Sequence, residues 1–268
     1  MTRNDVNRLG TLALLSLAVS LSACGGGDSE GAGAAVPAPA PGPAPSPAPA
    51  PAPAPAPGPA PAPAPAGDSS ACWNDAMSST GAWWKVTYRE RGLSNVDGIV
   101  VTTQTLGSKT FNGQSTTESR ITTSVPAKAD DVQLSYAQLS GQEYRQFGWR
   151  LANGSEVFLE PAWVTPRAMQ PGQSSTSTYA MRFANGAAPT ATTTTTTTYL
   201  GRDTIAVPAG TFETCKVRFV DQGGGTSYTW TIASGPLRGI DVRYSLALAA
   251  NGTSAWVREA TAIDASFK

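Results

Sequence analysis

The chain is 268 residues long and carries 19 basic and 19 acidic side chains, a formal net charge of zero that offers nucleic acid no long-range attraction. It contains no histidine, which excludes Ser-His-Asp and Cys-His catalysis and histidine-based zinc sites. Most of its prolines fall in one tract near the N-terminus, so composition divides the chain before any element is read.

Arg3 and Arg8 precede an apolar run from Leu9 to Leu21, which leads into Ser22-Ala23-Cys24-Gly25. A cationic start, a short apolar run and small residues before a cleavage point predict a signal peptide over residues 1–23. The run is too short to span the roughly 30 Å of hydrocarbon in a bilayer. Cysteine directly after Leu-Ser-Ala resembles the lipobox of bacterial lipoproteins. The resemblance implies that the Cys24 thiol is diacylated with palmitate-like chains, the leader is cut before it, and the new amino group is acylated. Several acyl chains on one residue make a durable anchor, whereas one chain binds only marginally. By the same resemblance, Gly25 rather than Asp after the cysteine favours the outer membrane. Whether the protein faces periplasm or cell surface is left open.

Residues 24–35 are rich in Gly and Ala and read as a flexible segment. Residues 36–66 are an almost unbroken Pro-Ala repeat. Proline fixes φ and removes donors, so this tract is expected as a polyproline II spacer reaching on the order of 90 Å if straight.

Residues 67–268 are enough for one domain with a single core. Runs rich in Thr, Val, Tyr, Phe and Trp predict strands over 83–90, 98–106, 115–124, 142–151, 174–183, 192–200, 204–207, 214–220, 226–232, 240–248 and 254–263. Asp97-Gly98, Asn112-Gly113, Asn153-Gly154, Asn185-Gly186 and Asn251-Gly252 supply the positive φ of hairpin turns, so neighbouring strands should pair as an antiparallel meander. Short helices are allowed at 72–77 and near 127–131, and the proline-rich stretch 160–172 reads as an ordered loop. In 240–248 the alternation puts Ile240, Val242, Tyr244, Leu246 and Leu248 on a packed face and Asp241, Arg243 and Ser245 on a wet one. The threonine run 192–198 lacks an apolar face and reads as an edge strand or a ligand-facing ladder, with the edge preferred. The expected fold is all-β, a single domain whose meander forms a strongly curved sheet or partial barrel.

In 201–219, Val207-Pro208-Ala209-Gly210 separates two strand-like runs, giving strand, tight turn, strand. The V-P-A-G-T-F motif is followed by Cys215, the Tyr228-Thr229-Trp230 strand and Gly235-Pro236-Leu237-Arg238-Gly239. This order resembles a group of bacterial secreted proteins and lipoproteins of unassigned function, over about Leu200 to Tyr244. Their cores are antiparallel β-structures, and the resemblance extends to the open half-barrel of lipoprotein carriers of the LolA type. It implies a compartment and a β-rich fold, and brings no catalytic motif.

Cys72 and Cys215 remain after Cys24 is set aside, and in an oxidising envelope an even pair is expected as a disulfide. No catalytic residues, metal ligands or cofactor are assigned. Ser108-Lys109 falls at an expected turn, and Asp130-Asp131 and Glu156 with Glu160 read as solvated loop charges. Trp83, Trp84, Trp149, Trp163 and Trp230 are the candidate ligand-binding residues, since pockets are mostly apolar. As adjacent strand residues, Trp83 and Trp84 point to opposite faces. The functional expectation is a non-enzymatic, membrane-anchored module that binds a lipid or other apolar envelope component; the alternative is an envelope scaffold with a cell-wall or protein partner. Nucleic acid is not an expected partner.

Overall fold

A computed structural model of the chain describes residues 67–92, 95–184, 186, 190–247 and 254–267. The expected signal peptide, Cys24 and the Pro-Ala spacer lie outside the described residues, as do Asn185, Leu248 and Asn251-Gly252.

The described residues form twelve strands in order: β1 (Trp83–Gly92), β2 (Val96–Phe111), β3 (Gln114–Ser124), β4 (Asp131–Leu139), β5 (Glu143–Arg150), β6 (Glu156–Pro166), β7 (Ser174–Phe183), β8 (Thr193–Val207), β9 (Gly210–Asp221), β10 (Thr226–Ile232), β11 (Asp241–Ala247) and β12 (Ser254–Ser266). Each pairs antiparallel with its sequence neighbours, and β1 pairs with β12 from Trp83 opposite Ser266 to Gly92 opposite Trp256. The expected all-β meander is therefore present, and its curvature runs to full closure. Closure gives every described strand two neighbours, although the β6–β7 ladder covers only Val157–Glu160 opposite Ala180–Phe183. The threonine run accordingly is not an edge strand. β8 pairs with both β7 and β9, and Thr194, Thr196 and Thr198 share hydroxyl hydrogen bonds of 3.1, 3.2 and 2.8 Å with Thr178, Thr176 and Ser174.

The turn chemistry is obeyed where it is purest. Asn112 and Gly113 both have positive φ, 47° and 73°, and join β2 to β3 as a two-residue turn. Asp97-Gly98 instead lies inside β2, where Gly98 is the extra residue of a bulge opposite β1. Ser108-Lys109 also belongs to β2 rather than to a turn.

Two strands depart from the sequence expectation. β4 has helix-favouring Gln, Leu and Ala, and it places polar Gln133 and Ser135 in buried positions while Val132 is exposed, so hydrophobic alternation misreads it. There is no helix near 127–131. β6 runs through the stretch read as a loop. It tolerates Pro161 because the β5–β6 ladder skips from Phe158 to Trp163, leaving the proline out of that pairing, and Pro166 ends the strand. The helix allowed at 72–77 is two separate 3-10 turns, Ser69–Cys72 and Asp75–Ser78.

Charges occupy the outer face. Lys85 pairs with Asp264, Arg89 with Glu259 and Arg150 with Glu156 on strands whose intervening residues point inward. A membrane-spanning barrel presents the reverse, an apolar outer band. Two hairpins fold over this outer face and account for its apolar patches. The β2–β3 tip lays Phe111 on Tyr136, ring centroids 3.9 Å apart and nearly parallel, and Asn112 Nδ2 donates to Glu160 Oε1 at 3.1 Å. The β8–β9 tip, at Val207–Gly210, reaches β12, where the Ala209 N–H donates to the Ala260 carbonyl at 3.0 Å. Both tips seal apolar groups from water outside the lumen.

Candidate functional site

The segment before β1 crosses one end of the barrel. The Ser69 N–H donates to the Met169 carbonyl at 2.9 Å, and Ser69 Oγ donates to the Arg167 carbonyl at 2.7 Å, which fixes the segment to the loop after β6. On the far side Asn74 Nδ2 donates to the Arg238 carbonyl at 3.1 Å, in the loop before β11. Between these anchors a disulfide joins Cys72 to Cys215 on β9. The end is thus capped by a short polypeptide strap. Gly239 lets it lie close: a Cβ there would meet Met77 Sδ at 2.6 Å and Asn74 Cβ at 3.1 Å.

Beneath the strap lies a cavity of about 320 Å³. Its walls come from most of the strands, because residues alternate in and out and the inner positions of neighbouring strands fall side by side. Trp84, Val86 and Tyr88 supply the β1 wall; Tyr144, Trp149 and Trp163 supply β5 and β6; Tyr199, Val217 and Phe219 supply β8 and β9. Its size is at the lower end of small-molecule sites, roughly 300–1,000 Å³. Among the described residues, no Lys or Arg side chain lines it.

Of the five tryptophans singled out in the sequence, Trp84, Trp149 and Trp163 line this cavity and Trp83 and Trp230 do not. Trp83 alternates to the opposite face of β1, next to Gln104 of β2. Trp230 sits between the lumen-lining Thr229 and Thr231 and so faces outward. There its indole donates to Asp203 Oδ2 at 3.1 Å, with Lys216 and Arg243 over its ring at 5.1 and 5.0 Å. Strand periodicity could have separated Trp83 from Trp84, but nothing in the sequence states which face of β10 is inner. Sequence reading also missed Trp73, which stacks on Tyr144 at 5.7 Å from the strap, and Gln146, whose polarity disguised an inward position.

Several of the polar groups in the wall are held by hydrogen bonds. The two N–H groups of Gln146 Nε2 are shared among three acceptors, Ser135 Oγ and the Tyr136 carbonyl at 3.1 Å and the Gly148 carbonyl at 2.8 Å, while its Oε1 accepts from the Tyr144 hydroxyl. Burial raises the Tyr144 phenol above its ordinary range, so it stays a neutral donor. Asp241, expected on the wet face of β11, lines the cavity instead, because a bulge between Trp230 and Thr231 breaks the alternation there. Ser245, expected wet as well, is 2% exposed. Desolvation lifts the Asp241 carboxyl to about 6, and Thr231 Oγ1, donating at 2.5 Å, partly offsets the shift. Beyond Tyr88 on the same face, Glu90 meets Arg258 with Nε and Nη2 at 2.9 and 2.5 Å, and the guanidinium lies over Tyr88 and Trp256.

The carboxylates read as solvated loop charges do not line the cavity, and Asp131 begins β4 while Glu156 and Glu160 belong to β6 rather than to loops. Glu156 is held by Arg150, and Glu160 by Arg182 and Asn112, all on the outer surface.

No family model matches the chain, and no curated protein is similar to it. Among solved structures, it is similar in outline to a protein assigned as exported, with a YmcC-like fold, from Bacteroides fragilis, at 11% identity and a TM-score of 0.46 over 69% of this chain and 96% of that one. It is also similar to a protein assigned as a lipoprotein from Parabacteroides distasonis, at 10% identity and 0.37 over 70% and 96%, and to a β-barrel-like protein of unknown function from Brucella abortus, at 9% identity and 0.32 over 70% and 98%. The fold described above rests on the strand registers of this chain.

Proposed function

We propose that this chain is an outer-membrane lipoprotein, anchored through acyl chains on Cys24, whose barrel takes an apolar ligand of the envelope into its lumen. The observation that carries the reading is the cavity of about 320 Å³ walled by Trp84, Trp149, Trp163, Tyr199 and Phe219. Aromatic walls of this kind gain free energy by burying hydrocarbon, on the order of 25 cal/mol per Å². The charged outer face supports a domain standing in water, and the Leu-Ser-Ala-Cys24 sequence followed by a Pro-Ala spacer supports a tether that holds it off the membrane. The activity proposed is binding, without chemistry on the ligand.

Native mass spectrometry of the protein taken from its own envelope, compared with the same sample denatured, reads the ligand directly. The expected result is a mass in excess of the chain and its acyl groups that disappears on denaturation. A bare protein that also takes up none of a panel of offered lipids overturns the reading, and leaves the barrel as a scaffold.

A further inference from the structure

Among the described residues that line the cavity, Asp241 alone bears a formal charge. It opens β11 and lies opposite Thr231 of β10, which also lines the cavity. From β1 the Tyr88 hydroxyl donates to the Asp241 carbonyl at 2.9 Å, so the residue is held from both sides on the lumen face.

Its carboxyl is only half used. Oδ1 accepts from Thr231 Oγ1, while Oδ2 has no hydrogen bond among the described residues and is not one of the atoms closed off from contact. The arginines of β11 and β12 are engaged elsewhere: Arg243 pairs with Glu259, and Arg258 with Glu90. The carboxyl, lifted to about 6, is still mainly ionised at neutral pH. A carboxylate enclosed without a counter-ion is unfavourable.

We propose, resting on the apolar-ligand reading above, that Asp241 is the recognition group of the lumen and that the ligand is a cationic amphiphile, a hydrocarbon chain headed by an ammonium group. An ammonium N–H donates and has no acceptor, which matches the unused Oδ2. The fold has already drawn the carboxylate out of bulk water, so on binding only the head of the ligand loses its hydration. The walls agree in sign. Aromatic rings such as Trp84 and Trp149 present negative faces, which favour a cation over an anion in the same space. Serine and threonine hydroxyls elsewhere in the wall accept or donate and prefer neither sign. A fatty acid anion or a phosphate meets repulsion from Asp241 and no compensating base.

Octylammonium, octanol and octanoate share one chain length and differ in the charge of the head. They are titrated into the full-length protein and its Asp241→Asn variant. In the parent, octylammonium is expected to bind most tightly and octanoate least. The affinity ratio of octylammonium to octanol should fall about tenfold in the variant, the size of one charge-assisted hydrogen bond. In the unmodified protein the Asp241 carboxyl carbon resonance should move with octylammonium and stay with octanol, a readout that does not depend on the variant folding. A ratio indifferent to the substitution, an unmoved carboxyl resonance, or octanoate binding as tightly as octylammonium overturns the cation inference while the apolar-ligand reading stands on the binding of octanol. If none of the three binds, both fall together.

Discussion

Cys72, in the strap across the barrel end, is bonded to Cys215 on the inner face of β9, their Cα atoms 6.1 Å apart and 143 residues apart in sequence. The bond ties the strap before β1 to the middle of the meander, so it constrains the unfolded chain across most of the domain. Replacing both cysteines by serine should lower the unfolding free energy by roughly 2–5 kcal/mol. Urea unfolding with and without reductant measures it; identical midpoints would show that the bond contributes nothing.

The strap has a second dependence, on Gly239. Its φ of 93° and the 2.6 Å approach of Met77 Sδ leave no room for a methyl group. Gly239→Ala should cost about 1–3 kcal/mol and loosen the strap first. Hydrogen exchange at the Met77 and Ser79 amides, which donate to Asn74 and Ala76, should quicken more than exchange in the strands. Uniform quickening would place the damage in the barrel instead.

Filling the lumen should separate stability from binding. Ala137 lines the cavity on β4, and Ala137→Phe puts a ring where the ligand is proposed to lie. The expected outcome is a protein of similar unfolding midpoint that carries no releasable mass in native mass spectrometry. A variant that retains the parent's bound mass counts against the lumen as the site.

Glu90 and Arg258 form an ion pair whose side chains are 10% and 16% exposed. Breaking such a pair leaves one charge enclosed without its partner, so Glu90→Gln should destabilise by about 3–5 kcal/mol. Removing both charges with Glu90→Gln and Arg258→Met should cost less than the single change. A double mutant that is worse than either single mutant would contradict this account.

Asp241 gives the barrel a pH dependence of definite sign. Its carboxyl is raised from 3.8 to about 6 in the folded state, so over that window the folded protein holds more protons than the unfolded chain. Stability is then greatest below the lower value and falls as pH rises towards 6, by at most about 3 kcal/mol from this group. Asp241→Asn keeps an acceptor for Thr231 and removes the titration. It should gain stability over the parent at neutral pH and lose that advantage at pH near 4. Parallel stability-pH curves for the two proteins would refute the assignment.

The sequence by itself determined the class of fold and much of its local detail. Period-two runs of β-branched and aromatic residues located most strands, and β7 and β10 have the bounds expected for them. Asn112-Gly113 set a hairpin because positive φ is cheap for those two residues, and Val207-Pro208-Ala209-Gly210 set another because proline cannot continue the ladder. These are local properties, decided by backbone sterics within a few residues. Tertiary structure alone decided what faces inward. Gln146, Ser135 and Thr197 line the lumen although they are polar, and Trp230, expected as a ligand-binding residue, faces outward under a folded-over hairpin. A single bulge inside β11, at Val242, turned Asp241 from an expected solvent position into the cavity wall. Closure is likewise invisible locally, because the pairing of Trp83 with Ser266 joins the two ends of the domain. The candidate site follows from that closure, since Trp84, Trp163 and Phe219 share one cavity only when distant strands are brought round to face each other.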